Sequence, residues 1–156
     1  MLNSLLQIPK SIRCVEDLPD TGVRTALHID QQAPLDNLIS LIRRQANSTN
    51  AVYVTDEQDH LVGRVNVETL LQCLTPAGPS HLLCGMFMRD TLLFLDGQQV
   101  GNFTTHCPRV ETSTPVKDVV RLMLTEHMSE LPVVDGKNRL IGAVDAKAVL
   151  AVCRAQ

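Results

Sequence analysis

The sequence predicts an α+β fold made of two copies of one small unit, and three observations predict it. Pro34-Leu35-Asp36-Asn37-Leu38-Ile39 is answered by Pro115-Val116-Lys117-Asp118-Val119-Val120, Ala51-Val52-Tyr53-Val54 by Leu131-Pro132-Val133-Val134, and Leu61-Val62-Gly63 by Leu140-Ile141-Gly142. Within each copy, one stretch of helical apolar spacing precedes two short apolar runs separated by a turn. A unit of roughly 45 to 50 residues lies near the lower size limit for independent folding, so the two copies are expected to share a core.

The elements follow in order. Leu35, Leu38, Ile39, Ile42 and Ala46 fall on one face of a helix that Pro34 opens. Val116, Val119, Val120, Met123 and His127 repeat the spacing after Pro115, which places His127 on the apolar face. Ala51 to Val54 and Leu131 to Val134 read as strands ended by the turns Asp56-Glu57-Gln58-Asp59 and Asp135-Gly136-Lys137-Asn138, and a second strand follows each. Asn66 and Asp145 are good N-caps, so a second helix is expected to run from each to about Leu74 and Cys153. Short leading strands are expected at Thr25 to Ile29 and at Arg109 to Glu111. The resulting division is an N-terminal extension over 1–24 packing on the pair, a first repeat over 25–74, an ordered connector over 75–107 and a second repeat over 108–156. The connector opens on the breaker cluster Thr75-Pro76-Ala77-Gly78-Pro79, but Leu82 to Leu95 is too apolar for a floppy linker, and Asp96-Gly97 suggests a turn.

Composition narrows the function. The 156 residues carry a formal charge of -3 with no run of five like charges, which gives no electrostatic footprint for nucleic acid or an anionic membrane. With no Trp, one Tyr and three Phe, stacking platforms for single strands are also poorly supplied. The five cysteines show no CxxC or zinc-type spacing and read as free thiols of a reducing compartment. Lys10 and Arg13 follow the N-terminal apolar stretch, the wrong order for a signal peptide, and Leu82 to Leu95 is too short to span a bilayer. A cytoplasmic chain without membrane insertion is expected. The five histidines are scattered without metal-ligand spacing, and neither GxGxxG nor GxxxxGK[ST] occurs. No Cys/His or Ser/His/Asp set can be assembled, so the sequence predicts no enzyme and no catalytic residue.

The ordered, duplicated pattern resembles the cystathionine-β-synthase (CBS) domain, two of which in tandem form a Bateman module. The resemblance covers about Thr25 to Leu74 and Pro108 to Cys153, and Ser113-Thr114-Pro115-Val116, Leu131-Pro132-Val133-Val134-Asp135 and Leu140-Ile141-Gly142-Ala143-Val144 carry it best. It implies a β-α-β-β-α fold per repeat, packed about a pseudo-twofold axis. It further implies a regulatory module that binds an adenosyl compound such as AMP, ADP, ATP or S-adenosylmethionine in the inter-repeat cleft and controls a partner enzyme or transporter; no other cofactor is expected, and the residue spacing predicts no metal. A homodimer through the helices is expected.

In family members that bind nucleotides, the strand after the glycine ends in Thr or Ser and an Asp three residues later holds the ribose. Here the first position is Asn66 or Asp145 and the second is Thr69 or Ala148, so neither copy keeps the acidic anchor. Asp145 would set a negative charge where a phosphate belongs. Asn66 and Thr69 are more permissive. Arg64 replaces the usual aliphatic residue, and its guanidinium either holds a phosphate or carboxylate bidentately or faces water or an acid. Arg64, Asn66, Thr69 and Asp145 are therefore the candidate ligand-binding residues. Read by themselves, Asn66 and Asp145 are helix caps. The alternative function, which the missing ribose carboxylates favour, is a pair that has lost nucleotide binding and serves oligomerisation or protein interaction.

Overall fold

Proline sets the start of both long helices, because its fixed φ suits a helix opening and its missing N–H is not needed there. In the computed structural model, which describes residues 6–19, 22–45, 51–73 and 97–155, Pro34 and Pro115 are the N-cap residues of helices starting at Leu35 and Val116. The elements are β1 (Leu6–Gln7), a 3-10 turn (Val15–Asp17), β2 (Val23–Arg24), β3 (His28–Asp30), α1 (Leu35–Arg44), β4 (Ala51–Thr55), β5 (Leu61–Asn66) and α2 (Val67–Cys73). A second 3-10 turn (Val100–Phe103), β6 (Val110–Glu111), α3 (Val116–Thr125), β7 (Glu130–Val134), β8 (Leu140–Asp145), α4 (Ala146–Val152) and β9 (Arg154–Ala155) follow. The fold is α+β.

The chain divides into two units, Leu27–His106 on one hand and Met1–Ala26 with Cys107–Gln156 on the other. In the Leu27–His106 unit the sheet order is β3-β4-β5, with β3 parallel to β4 and β5 antiparallel to it. Val52, Val54 and Val65 alternate onto one face and bury against Leu35, Leu38 and Val100. The 3-10 turn supplies Val100 and is tied down by N–H donation from Val100 to the Ala33 carbonyl at 2.9 Å and from Gly101 to the Gln31 carbonyl at 2.8 Å.

The other unit holds a sheet of order β2-β8-β7-β6 and a separate antiparallel β1–β9 pair. Val116, Val119, Met123 and Val149 are buried beside Leu131, Val133 and Val144. The 3-10 turn Val15–Asp17 repeats the role of Val100–Phe103: Val15 donates to the Thr114 carbonyl at 3.0 Å and Glu16 to the Thr112 carbonyl at 2.9 Å. The structural repeat is thus longer than the sequence repeat. It includes a turn and an edge segment ahead of each copy, and each such segment belongs to the unit of the other copy.

Two expectations are corrected. The leading strand expected at Thr25 to Ile29 forms only at its end, as β3 (His28–Asp30) on β4, and the strand just before it, β2 (Val23–Arg24), pairs with β8 of the other unit, because the chain passes from one unit to the other at Ala26. His127 does not lie on the apolar face of α3. That helix ends at Thr125, and His127 takes a left-handed conformation (φ 52) that lets Met128 N–H donate to the Met123 carbonyl at 2.9 Å, a Schellman closure that leaves the imidazole exposed. Leu82 to Leu95, the expected packed middle of the connector, lies outside the described residues. So does Asp96, although Gly97 has the positive φ (72) of a turn residue.

Candidate ligand site

The polar positions grow out of strand register. Residues directly opposite one another in a sheet share a face, so the pairs His28↔Tyr53 and Tyr53↔Arg64 set these three side chains in one row on the face opposite Val52, Val54 and Val65. Thr105 completes the row, because its backbone exchanges hydrogen bonds with Arg64 at 3.0 and 2.8 Å and its Oγ1 donates to the Arg64 carbonyl at 3.2 Å. Tyr53 is buried. Arg64 is half-buried, yet its Nε is fully buried and has no hydrogen-bond partner among the described residues. A buried N–H of a guanidinium left unmatched is costly, and such groups in folded proteins are met by protein, water or a ligand.

Asn66 ends β5 and Thr69 stands in the first turn of α2, both half-buried. Three of the four candidate residues therefore sit on the β5–α2 segment of one unit, and Asp145 sits at the corresponding strand end of the other. Asp145 is fully engaged. Its Oδ1 accepts from Ala148 N–H at 2.6 Å, capping α4, and its Oδ2 lies 2.9 Å from the Arg24 guanidinium, with the carboxylate side chain only 14% exposed. Arg24 and Thr105 did not stand out in the sequence. They occupy matching places, Arg24 opposite Ala143 on β8 and Thr105 opposite Arg64 on β5, and both glycines before those positions are pressed against them: a Cβ on Gly142 would lie 2.5 Å from the Arg24 carbonyl oxygen.

The described residues of the second unit line two concavities of note. One, of about 310 Å³, is lined by Arg109, Glu111, Thr114, Asp135 and Asn138, and several of its polar groups already bond one another. Arg109 donates to Asn138 Oδ1, and Thr114 Oγ1 accepts from Glu111 N–H. Hydrogen bonds from the Arg139 and Lys137 backbone hold the Asp135 carboxyl below its ordinary range. The other, of about 510 Å³, is apolar and formed by Met123, Leu124, Met128, Val149 and Leu150 beside His127. Among the described residues no group of three or more His, Cys, Asp or Glu is placed to hold a metal ion, Cys14, Cys107 and Cys153 form no disulfide, and no helix is long and apolar enough to cross a membrane.

Residues 100–154 match the family model described as the CBS domain. No curated protein sequence matches the chain. The described structure is similar to the cytosolic domain of the Mg2+ channel MgtE solved in complex with ATP (24% identity, TM-score 0.64), where 87% of this chain covers 49% of that one, about half its length. It is similar to CBSX2 solved in complex with AMP (23% identity, TM-score 0.62, 88% and 93% covered). A CBS domain-containing protein from Thermotoga maritima gives 20% identity and a TM-score of 0.65, with 91% and 94% covered. The tandem CBS module that the duplicated sequence resembles is the fold this chain adopts, with a CBS domain matched over residues 100–154.

Proposed function

We propose that the chain is a regulatory module that senses a phosphate-bearing adenine nucleotide and controls a partner enzyme or transporter, without catalysis of its own. The observation that carries the reading is the buried Nε of Arg64, unmatched among the described residues, on the strand that ends at Asn66 and leads into the helix bearing Thr69. A guanidinium offers a phosphate two parallel N–H donors, and a partly dry site strengthens that pairing. The likeness to structures solved with ATP and with AMP supports the choice of ligand class, and the likeness to the cytosolic domain of a Mg2+ channel supports a transporter as the kind of client. In this reading Asn66 and Thr69 hold the ligand by neutral hydrogen bonds where a carboxylate would be usual.

The test is a thermal-shift panel of AMP, ADP, ATP, S-adenosylmethionine and NAD. A ligand at about 100 times its dissociation constant adds about 2.7 kcal/mol, a shift of several degrees for a domain of this size. A flat panel up to millimolar ligand would refute nucleotide sensing. A second reading, an oligomerisation unit, draws on the apolar concavity and its rim, where Leu124 is 71% and Leu150 57% exposed. In it the helices pair two copies into a homodimer. Light scattering of the wild type against Leu124→Glu tests the pairing, which requires a mass that depends on Leu124, and the nucleotide panel separates a pair that also senses from one that only associates.

A further inference from the structure

Each unit sets one arginine where the second hairpin strand meets its edge neighbour, on the strand in one unit and on the edge segment in the other, and the two differ in how that guanidinium is balanced. In the Leu27–His106 unit the arginine is on the strand itself, Arg64, its edge neighbour is Thr105, and the strand ends in neutral Asn66. In the other unit the strand carries Ala143, the arginine is the edge neighbour Arg24, and the strand ends in Asp145. The second guanidinium is cancelled: Arg24 lies 2.9 Å from Asp145, whose other oxygen is held by Ala148 N–H. In the first unit Nε of Arg64 is unmatched among the described residues, and the residue in the place of Asp145 bears no charge.

We infer that the chain takes one anionic ligand, at Arg64, and that the Arg24–Asp145 pair closes the matching position of the second unit with a charge pair of its own. This rests on the nucleotide-sensing reading and adds the number of sites and the residues that set it. An incoming phosphate at the second position would have to displace a carboxylate already bonded on both oxygens, and would meet its charge. Closure depends on that charge. Asparagine at 145 keeps an oxygen for the Ala148 N–H cap and releases Arg24, giving the second unit the same neutral strand end as Asn66 gives the first.

The experiment is equilibrium dialysis of labelled ATP against the full chain and its Arg64→Gln and Asp145→Asn variants, with circular dichroism to confirm folding. Expected are one equivalent per chain in the wild type, binding at least tenfold weaker in Arg64→Gln, and two equivalents in Asp145→Asn. That gain of a site cannot come from a variant that fails to fold. Two equivalents in the wild type overturn the inference and leave nucleotide sensing standing. So does a single equivalent in Asp145→Asn, or one that Arg64→Gln retains. No uptake of ATP by any of the three overturns the inference, and a flat thermal-shift panel beside it overturns nucleotide sensing as well.

Discussion

Gly63 and Thr105 are in contact through backbone alone: a Cβ built on the glycine would lie 2.3 Å from the threonine carbonyl oxygen, closer than real Cβ atoms approach. The contact exists because Thr105 pairs with Arg64, one residue along the strand. Backbone cannot swing aside as the end of a long side chain can. Gly63→Ala is expected to destabilise the protein by about 1–3 kcal/mol, as overpacking does, and to weaken any ligand held by Arg64. Gly142→Ala, which meets the Arg24 carbonyl oxygen at 2.5 Å, is expected to behave alike, while Gly136→Ala, with nothing within 4 Å, serves as the neutral control in urea unfolding.

Asp145 makes two bonds of different worth. The cap to Ala148 N–H closes a helix end, and its loss costs about 0.5–2 kcal/mol. The ion pair engages a largely exposed Arg24, and pairs of that kind contribute about 1 kcal/mol or less. Asp145→Ala is therefore expected to lower stability distinctly more than Asp145→Asn, and Arg24→Ala least of the three. Chemical denaturation midpoints measure the order, and equal effects of Asn and Ala would show that the cap contributes nothing.

The two hairpin loops carry a linked pH dependence. Asp56 accepts from the Gln58 and His60 backbone N–H groups and contacts His60 Nδ1 at 2.9 Å; Asp135 accepts from the Lys137 and Arg139 N–H groups and contacts Arg139 Nε at 2.8 Å. The bond to His60 chiefly lowers the Asp56 carboxyl below its ordinary value, and the Arg139 backbone bond chiefly lowers that of Asp135. A carboxyl depressed in the folded state stabilises the fold fully above the unfolded value, about 3.9, and loses that contribution as pH falls through the folded value. Melting temperature is therefore expected to drop below about pH 4, and Asp56→Asn with Asp135→Asn is expected to flatten that drop while lowering stability at neutral pH.

His127 holds a left-handed conformation where glycine is the usual occupant after a helix. His127→Gly is expected to raise stability by about 0.5–1 kcal/mol, and a β-branched residue there to lower it by a similar amount. Calorimetry of the pair checks the sign.

What the sequence made legible follows from local physics. Pro34 and Pro115 mark helix starts, Asp145 a cap, and the runs Ala51 to Val54 and Leu131 to Val134 buried strands, because each is decided by residues within a turn or two of itself. Val23, Arg24 and Thr105 were not legible, since two-residue strands and a single bridge have no periodicity and their partners lie far along the chain. The site shows the same divide. Arg64 was conspicuous as a charge in an apolar strand, but that its Nε is buried, and that Arg24 rather than a ligand meets Asp145, depends on register between distant strands.

The crossing of the two edge segments also imposes an order on synthesis. Leu27–His106 is continuous, so every strand of its sheet has been synthesised before Cys107 is added. Val23 and Arg24 emerge earlier still, yet the strand they pair with ends at Asp145. This early segment thus waits, unpaired, for a strand made much later, and the nascent chain completes its Arg64 unit while its Asp145 unit still lacks β6, β7, β8 and β9.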